Sequence, residues 1–238
     1  MTNSRPLEGR VALVTGASRG IGYSVALKLA EAGAHVIATA RTQGGLEELD
    51  DAIGEAGGSA TLVPMDLKSP DGIEKLAEAV GERWGKLDAL VVNAGVLGQL
   101  TPTAQVQAKI WNEVLGVNLI APARFIRAFE GLLRKSDAGR AVFTTSGVGS
   151  RRAKGYWAAY AASKAGLDIL VQSWAAEIID STVRANLVNP GTVRTRMRAK
   201  AAPGEDPMSL PHPDDIAPVF VGLCSPEETR HGQIVDAQ

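Results

Sequence analysis

The chain has 238 residues, 21% of them charged, with a net charge of −1. That balance belongs to an ordinary globular protein, and it lacks the basic surplus that nucleic acid or an anionic membrane would call for. The single cysteine, Cys224, excludes an internal disulfide framework and fits a reducing, cytoplasmic setting.

The opening "MTNSRPLEGR" has no apolar stretch, and no run of 18 apolar residues follows, so neither a secretory signal nor a membrane span is expected. "RVALVT", residues 10–15, reads as a buried strand. In "IGYSVALKLAEAG", Ile21, Val25 and Leu29 recur at helical spacing, and Gly33 supplies a stop. "HVIATA", residues 35–40, is a second strand, and "GLEELDDAIGEAG" a second helix. "SATLVPMD" and "LDALVVNAG" read as strands on either side of a helix over 71–84. A long helix is expected from about 103 into the 130s, bent or divided at Pro122. "GRAVFTTSG" is a fifth strand, 156 to about 179 a helix, and "VRANLVNPG" a sixth strand. "HPDDIAPVFVGLC" reads as a short helix and "HGQIVDA" as a last strand. His35, His212 and His231 are isolated, with no metal-ligand spacing. Strands alternating with helices imply an α/β fold: one doubly wound domain over 1–238, with a parallel sheet of about seven strands and helices on both faces.

"TGASRGIG", residues 15–22, lies between a strand and a helix, with glycines at 16, 20 and 22. Gly16 can take the tight turn, Gly20 admits a ligand close to the backbone, and Gly22 lets helix pack on strand. The helix N-terminus offers free N–H groups to a pyrophosphate. The spacing G-x-x-x-G-x-G differs from the usual G-x-G-x-x-G dinucleotide fingerprint. Further landmarks follow in order: "NAG" at Asn93, Ala94 and Gly95, then Asn118, Ser146, Tyr160-x-x-x-Lys164, and "NPG" at Asn189, Pro190 and Gly191. With these the chain resembles the short-chain dehydrogenase/reductase family from Gly9 to Asp236, and in particular its bacterial 3-oxoacyl-reductase-like members. The resemblance implies a Rossmann-type fold, a nicotinamide cofactor, a small carbonyl or alcohol substrate, and a homodimer or homotetramer.

Carbonyl reduction needs a hydride on carbon and a proton on oxygen. A phenol can give the proton, but its reference pKa is about 10, and a neighbouring cation lowers it. Lys164 stands one helical turn from Tyr160 and is expected to act this way, whereas Tyr156 has Tyr160 at that spacing and reads as cleft wall or packing. The resemblance makes Ser146 the group that polarises the substrate carbonyl, with Thr144, Thr145 and Ser150 as rivals. It makes Asn118 the holder of a water joining Lys164 to solvent. Ser163 reads as helix surface or packing. An acid at the end of the second strand would bind a ribose hydroxyl, but Ala40 is there, followed by Arg41. Arg41 and Arg19 suit a 2′-phosphate, so NADP(H) is expected ahead of NAD(H). By resemblance the cofactor also meets Ser18, Ile21, Asp66, Leu67, Asn93, Ala94, Gly95, Pro190, Gly191, Val193 and Thr195, besides Gly16, Gly20, Gly22, Tyr160 and Lys164.

A lid is expected over about 194–213, basic at its start with Arg194, Arg196, Arg198 and Lys200. Arg151, Arg152 and Lys154 follow Ser146. These cations read either as solvated surface or as attraction for an anionic substrate. The ending "DAQ" replaces the family's usual glycines and resembles that of a small bacterial subgroup. The resulting reading is an NADP(H)-dependent reductase of ketones or 3-oxoacyl groups. An NAD-dependent secondary alcohol dehydrogenase and a non-catalytic NADP-sensing protein are the alternatives.

Overall fold

Strand β1 (Val11–Thr15) is buried throughout, and its side chains alternate between two cores. Val11 and Leu13 enter one, Ala12 and Val14 the other. This alternation is what a strand covered on both faces requires. The computed structural model describes residues 5–238; the expectation about a leader rests in part on residues 1–4, which lie outside the described residues.

The chain continues as α1 (Gly20–Glu31), β2 (His35–Ala40), α2 (Gln43–Glu55), β3 (Ser59–Pro64), α3 (Gly72–Trp84) and β4 (Ala89–Val92). Then come α4 (Ala108–Leu115), α5 (Ala121–Arg134), β5 (Arg140–Thr144), the one-turn α6 (Gly147–Ser150) and α7 (Ala158–Glu177). The chain closes with β6 (Arg184–Asn189), α8 (Arg196–Ala201), α9 (Pro213–Cys224) and β7 (Ile234–Asp236). The seven strands form one parallel sheet in the order β3-β2-β1-β4-β5-β6-β7. Apolar side chains of α3, α5 and α7 fill one core, and those of α1, α2 and α9 the other. Strand order reverses between β1 and β4, which opens a crevice at their carboxyl ends. Among the described residues no helix is long and apolar enough to cross a membrane.

Two expectations need correction. The long helix begins at Ala108, after a single 3₁₀ turn at Thr103–Gln105, and widens into a π turn at Gly116–Ile120. The widening agrees with the division expected at Pro122, which has no N–H for the carbonyl of Asn118 four residues back. The helix expected from 156 begins at Ala158, because Tyr156 has a φ of 70° and cannot extend it. The segment expected as a lid also contains α8 and a 3₁₀ turn at Pro207–Ser209, neither of which has a long apolar period to announce it.

Candidate active site

A cleft of about 1560 Å³ crosses the carboxyl edge of the sheet. Gly16 follows β1 on its wall, Arg41 follows β2, Asp66 β3, Asn93 β4, Ser146 β5 and Pro190 β6. Small-molecule sites commonly occupy roughly 300–1,000 Å³, so this cleft has room for a dinucleotide and a second reactant.

The glycine turn is shaped by close contacts. Gly16 has a φ of 69°, and a Cβ there would lie 2.9 Å from the Ala94 Cα. Gly20, with a φ of 59°, opens α1, and Arg19 precedes it without a side-chain cap. No side chain caps the first-turn N–H groups, an arrangement that suits an anion. Ser18, Arg19, Gly20 and Ile21 line the cleft. Gly22 does not; a Cβ there would lie 2.3 Å from the Gly16 carbonyl oxygen, so its place is in the packing beneath the turn.

Across from this turn, the Asn93 and Ala94 N–H groups both donate to Thr15 Oγ1 at 3.0 Å. Asn93 Nδ2 donates to the Thr15 carbonyl at 3.2 Å, and Thr144 Oγ1 donates to Asn93 Oδ1 at 3.3 Å. Asn93 thus fastens the ends of three strands. Ala94, Gly95, Leu67 and Asp66 also line the cleft, with Asp66 Oδ1 accepting from the Lys68 N–H at 2.9 Å. Arg19 and Arg41 are exposed at the same wall, and neither is ion-paired among the described residues. Pro190, Gly191, Val193 and Thr195 form the far wall. Gln238 Nε2 braces this turn by donating to the Pro190 carbonyl at 2.6 Å and the Thr192 carbonyl at 3.3 Å.

Tyr160, Lys164 and Ser146 come together at the centre. Tyr160 is 8% exposed, and its ring centroid lies 5.9 Å from Lys164 Nζ. Burial pushes the phenol pKa up from its usual value of 10, and the nearby Ser146 hydroxyl opposes that shift. In the protein alone the expected depression by Lys164 does not appear: burial dominates, and the ammonium donates to the Thr144 carbonyl at 2.7 Å. Lys164 is itself buried, which lowers its pKa to about 8, while Asp168 opposes the shift. Among the rivals to Ser146, Thr144 bonds Asn93, and both Thr145 and Ser150 donate to Asp168. Ser146 also accepts from the Val148 N–H at 3.2 Å as the cap of α6.

Asn118 is 1% exposed and does not line the cleft. Its Oδ1 accepts from the Val96 N–H at 2.8 Å, and its Nδ2 donates to the Val96 carbonyl at 2.9 Å and to Ser163 Oγ at 3.0 Å. Its amide therefore clamps the loop after β4. Ser163 is buried rather than on the helix surface, and donates to the Tyr160 carbonyl at 2.7 Å. Tyr156 is 61% exposed and does not line the cleft, where its neighbour Trp157 stands. Sequence reasoning missed Asp168, although it repeats the four-residue interval from Tyr160 and Lys164; a lone acid in a helix ordinarily reads as surface.

Residues 10–206 match the family described as short chain dehydrogenase. The chain belongs to the short-chain dehydrogenase family. It is 37% identical over 236 residues to the uncharacterized oxidoreductase YciK of Escherichia coli K12, covering 98% of this chain and 93% of that protein. It is 35% identical over 229 residues to the 3-oxoacyl-[acyl-carrier-protein] reductase FabG of Vibrio harveyi, covering 93% of this chain and 92% of that protein. A Shigella flexneri short chain dehydrogenase solved in complex with NADP superposes with a TM-score of 0.94 at 37% identity, over 99% of each chain.

In this short-chain dehydrogenase Arg194, Thr195, Arg196, Met197, Arg198 and Lys200, from the segment expected as a lid, line the cleft. Two cations of the basic mouth are already paired. Arg151 meets Asp236 at 2.6 Å and Arg198 meets Glu205 at 2.5 Å. Lys154 lies over the Trp157 ring, 4.3 Å from its centroid. Arg152, Lys154, Arg194, Arg196 and Lys200 carry the remaining positive charge, a smaller set than the sequence suggested.

Proposed function

We propose that this protein is an NADP(H)-dependent reductase of ketones or 3-oxoacyl groups, working reversibly. The observation that carries the reading is the meeting of Tyr160, Ser146 and Lys164 in a cleft whose adenosine-side wall presents two unpaired guanidinium groups. NADP(H) fits the residues present: the Gly16 turn lies tight against Ala94, the α1 N-terminus is uncapped, and Arg19 and Arg41 suit a 2′-phosphate. The NADP complex of the Shigella relative supports the same cofactor. When bound, NADPH supplies the hydride that reduces the carbonyl carbon.

The chain's own groups do the rest. Ser146 holds the carbonyl oxygen and polarises it. Tyr160, kept neutral by burial, gives its proton to that oxygen. The Lys164 ammonium then faces the phenolate and limits its cost in a dry site. Asn118 fixes the loop after β4 and acts as a positioning residue. Self-association as a dimer or tetramer is supported by exposed Ile120 beside α5 and exposed Ile169 on α7.

The test is turnover of a ketone panel with NADPH and with NADH. The unpaired mouth cations favour substrates bearing a negative charge, so kcat/KM for an acidic ketone is expected to fall with added salt. Exposed charges are screened beyond about 10 Å at 0.1 M. A neutral ketone is expected to show no such fall. Equal salt response would leave those cations as surface. Cofactor binding without turnover on any ketone would favour a sensing role.

A further inference from the structure

Three residues at four-residue intervals in the first half of α7 are polar and buried: Tyr160, Lys164 and Asp168 are 8%, 3% and 4% exposed. The first two have a part in the proposed reaction, and the third has none. A buried carboxylate is costly unless it is paired and hydrogen-bonded, so its retention needs a physical account. Its oxygens accept from Thr145 Oγ1 and Ser150 Oγ, which stand on either side of Ser146 in the chain. Ser150 Oγ also lies 2.7 Å from the Ser146 carbonyl oxygen. The charged groups facing Asp168 are Lys164 on its own helix and Arg151 on the loop after α6.

We propose that Asp168 is a positioning residue for the reaction: it holds the loop bearing Ser146 through Thr145 and Ser150, and its negative charge lies one helical turn from the Lys164 ammonium. The two parts serve one end. Ser146 must reach the carbonyl oxygen while the Tyr160 phenol points at it, and Asp168 is the group that ties the Ser146 loop to the helix carrying Tyr160. Asp168 also opposes the lowering of the Lys164 pKa, which burial has brought to about 8. Lys164 would otherwise lose its proton nearer to neutral pH. Activity that needs the ammonium is then lost as pH rises through about 8, and removing the Asp168 charge moves that loss to lower pH.

The inference rests on the reductase reading, and the experiment separates the two. Wild type must first reduce a ketone with NADPH; if it does not, the reductase reading fails. With an active wild type, Asp168→Asn keeps the shape and removes the charge. It is expected to lower kcat about tenfold or more at pH 7.5, to leave NADPH affinity within about threefold, and to shift the alkaline limb of kcat/KM downward by at least about half a unit. Wild-type kcat, or a loss of kcat with the limb unmoved, would overturn the proposal. Should Asp168→Asn not fold, Ser150→Ala decides the matter alone. It removes one hydroxyl from the network and leaves α7 intact, and is expected to lower kcat about fivefold with KM unchanged. An unchanged kcat in Ser150→Ala would overturn the proposal.

Discussion

Tyr160→Phe is expected to lower kcat for ketone reduction by at least about 100-fold, the usual worth of a positioned general acid. The phenol is buried against Trp157, its ring 5.7 Å from that ring, and the lost atom is only the hydroxyl. Packing and NADPH affinity should therefore change little. Tyr156→Phe is the matched control, because Tyr156 stands exposed outside α7 and away from the cleft. It should stay within a few-fold of wild type. The measurement is kcat, with NADPH affinity read from fluorescence titration, for both variants. A strong loss in Tyr156→Phe with a mild one in Tyr160→Phe would reverse the assignment.

Arg41→Ala is expected to raise KM for NADPH by about 10- to 150-fold and to leave NADH nearly unaffected. A charge-assisted hydrogen bond contributes about 1.5–3 kcal/mol. Arg41 is exposed, so solvent screening favours the lower end of that span. Ala40→Asp with Arg41→Ala goes further, because a carboxylate there repels a 2′-phosphate and offers an acceptor to a ribose hydroxyl. The double variant should prefer NADH. Both cofactors are compared by kcat/KM on one ketone across wild type and the two variants. Wild type preferring NADH would remove the NADP(H) assignment. An indifferent Arg41→Ala in an enzyme that prefers NADPH would pass the role to Arg19, the other unpaired guanidinium on that wall.

The regular alternation of buried strands and amphipathic helices was legible because each element carries its own period. β2, for instance, spans His35–Ala40 as read from "HVIATA". The glycine turn was legible because positive φ at Gly16 and Gly20 leaves a residue-type signature. What escaped depends on contacts between distant residues. The role of Asp168 lies in hydroxyls on another loop, and the occupied amide of Asn118 lies in the Val96 backbone. Spacing alone placed Lys164 beside Tyr160 but said nothing of the Thr144 carbonyl that competes for the ammonium. It also could not weigh burial against charge, and in the protein alone burial sets the direction for Tyr160. The pairing of Arg151 with Asp236 joins residues 85 positions apart in the chain and thinned the basic mouth in the same way.

The most direct test of the account follows one hydrogen. The protein is incubated with a neutral ketone and NADPH carrying deuterium at the transferable C4 position, and the alcohol is examined by mass spectrometry. The account predicts one deuterium on the carbinol carbon with wild type, and a rate of labelled product at least about 100-fold lower with Tyr160→Phe. Tight binding of NADPH with no labelled alcohol from any ketone, or label formed equally fast by Tyr160→Phe, would contradict it.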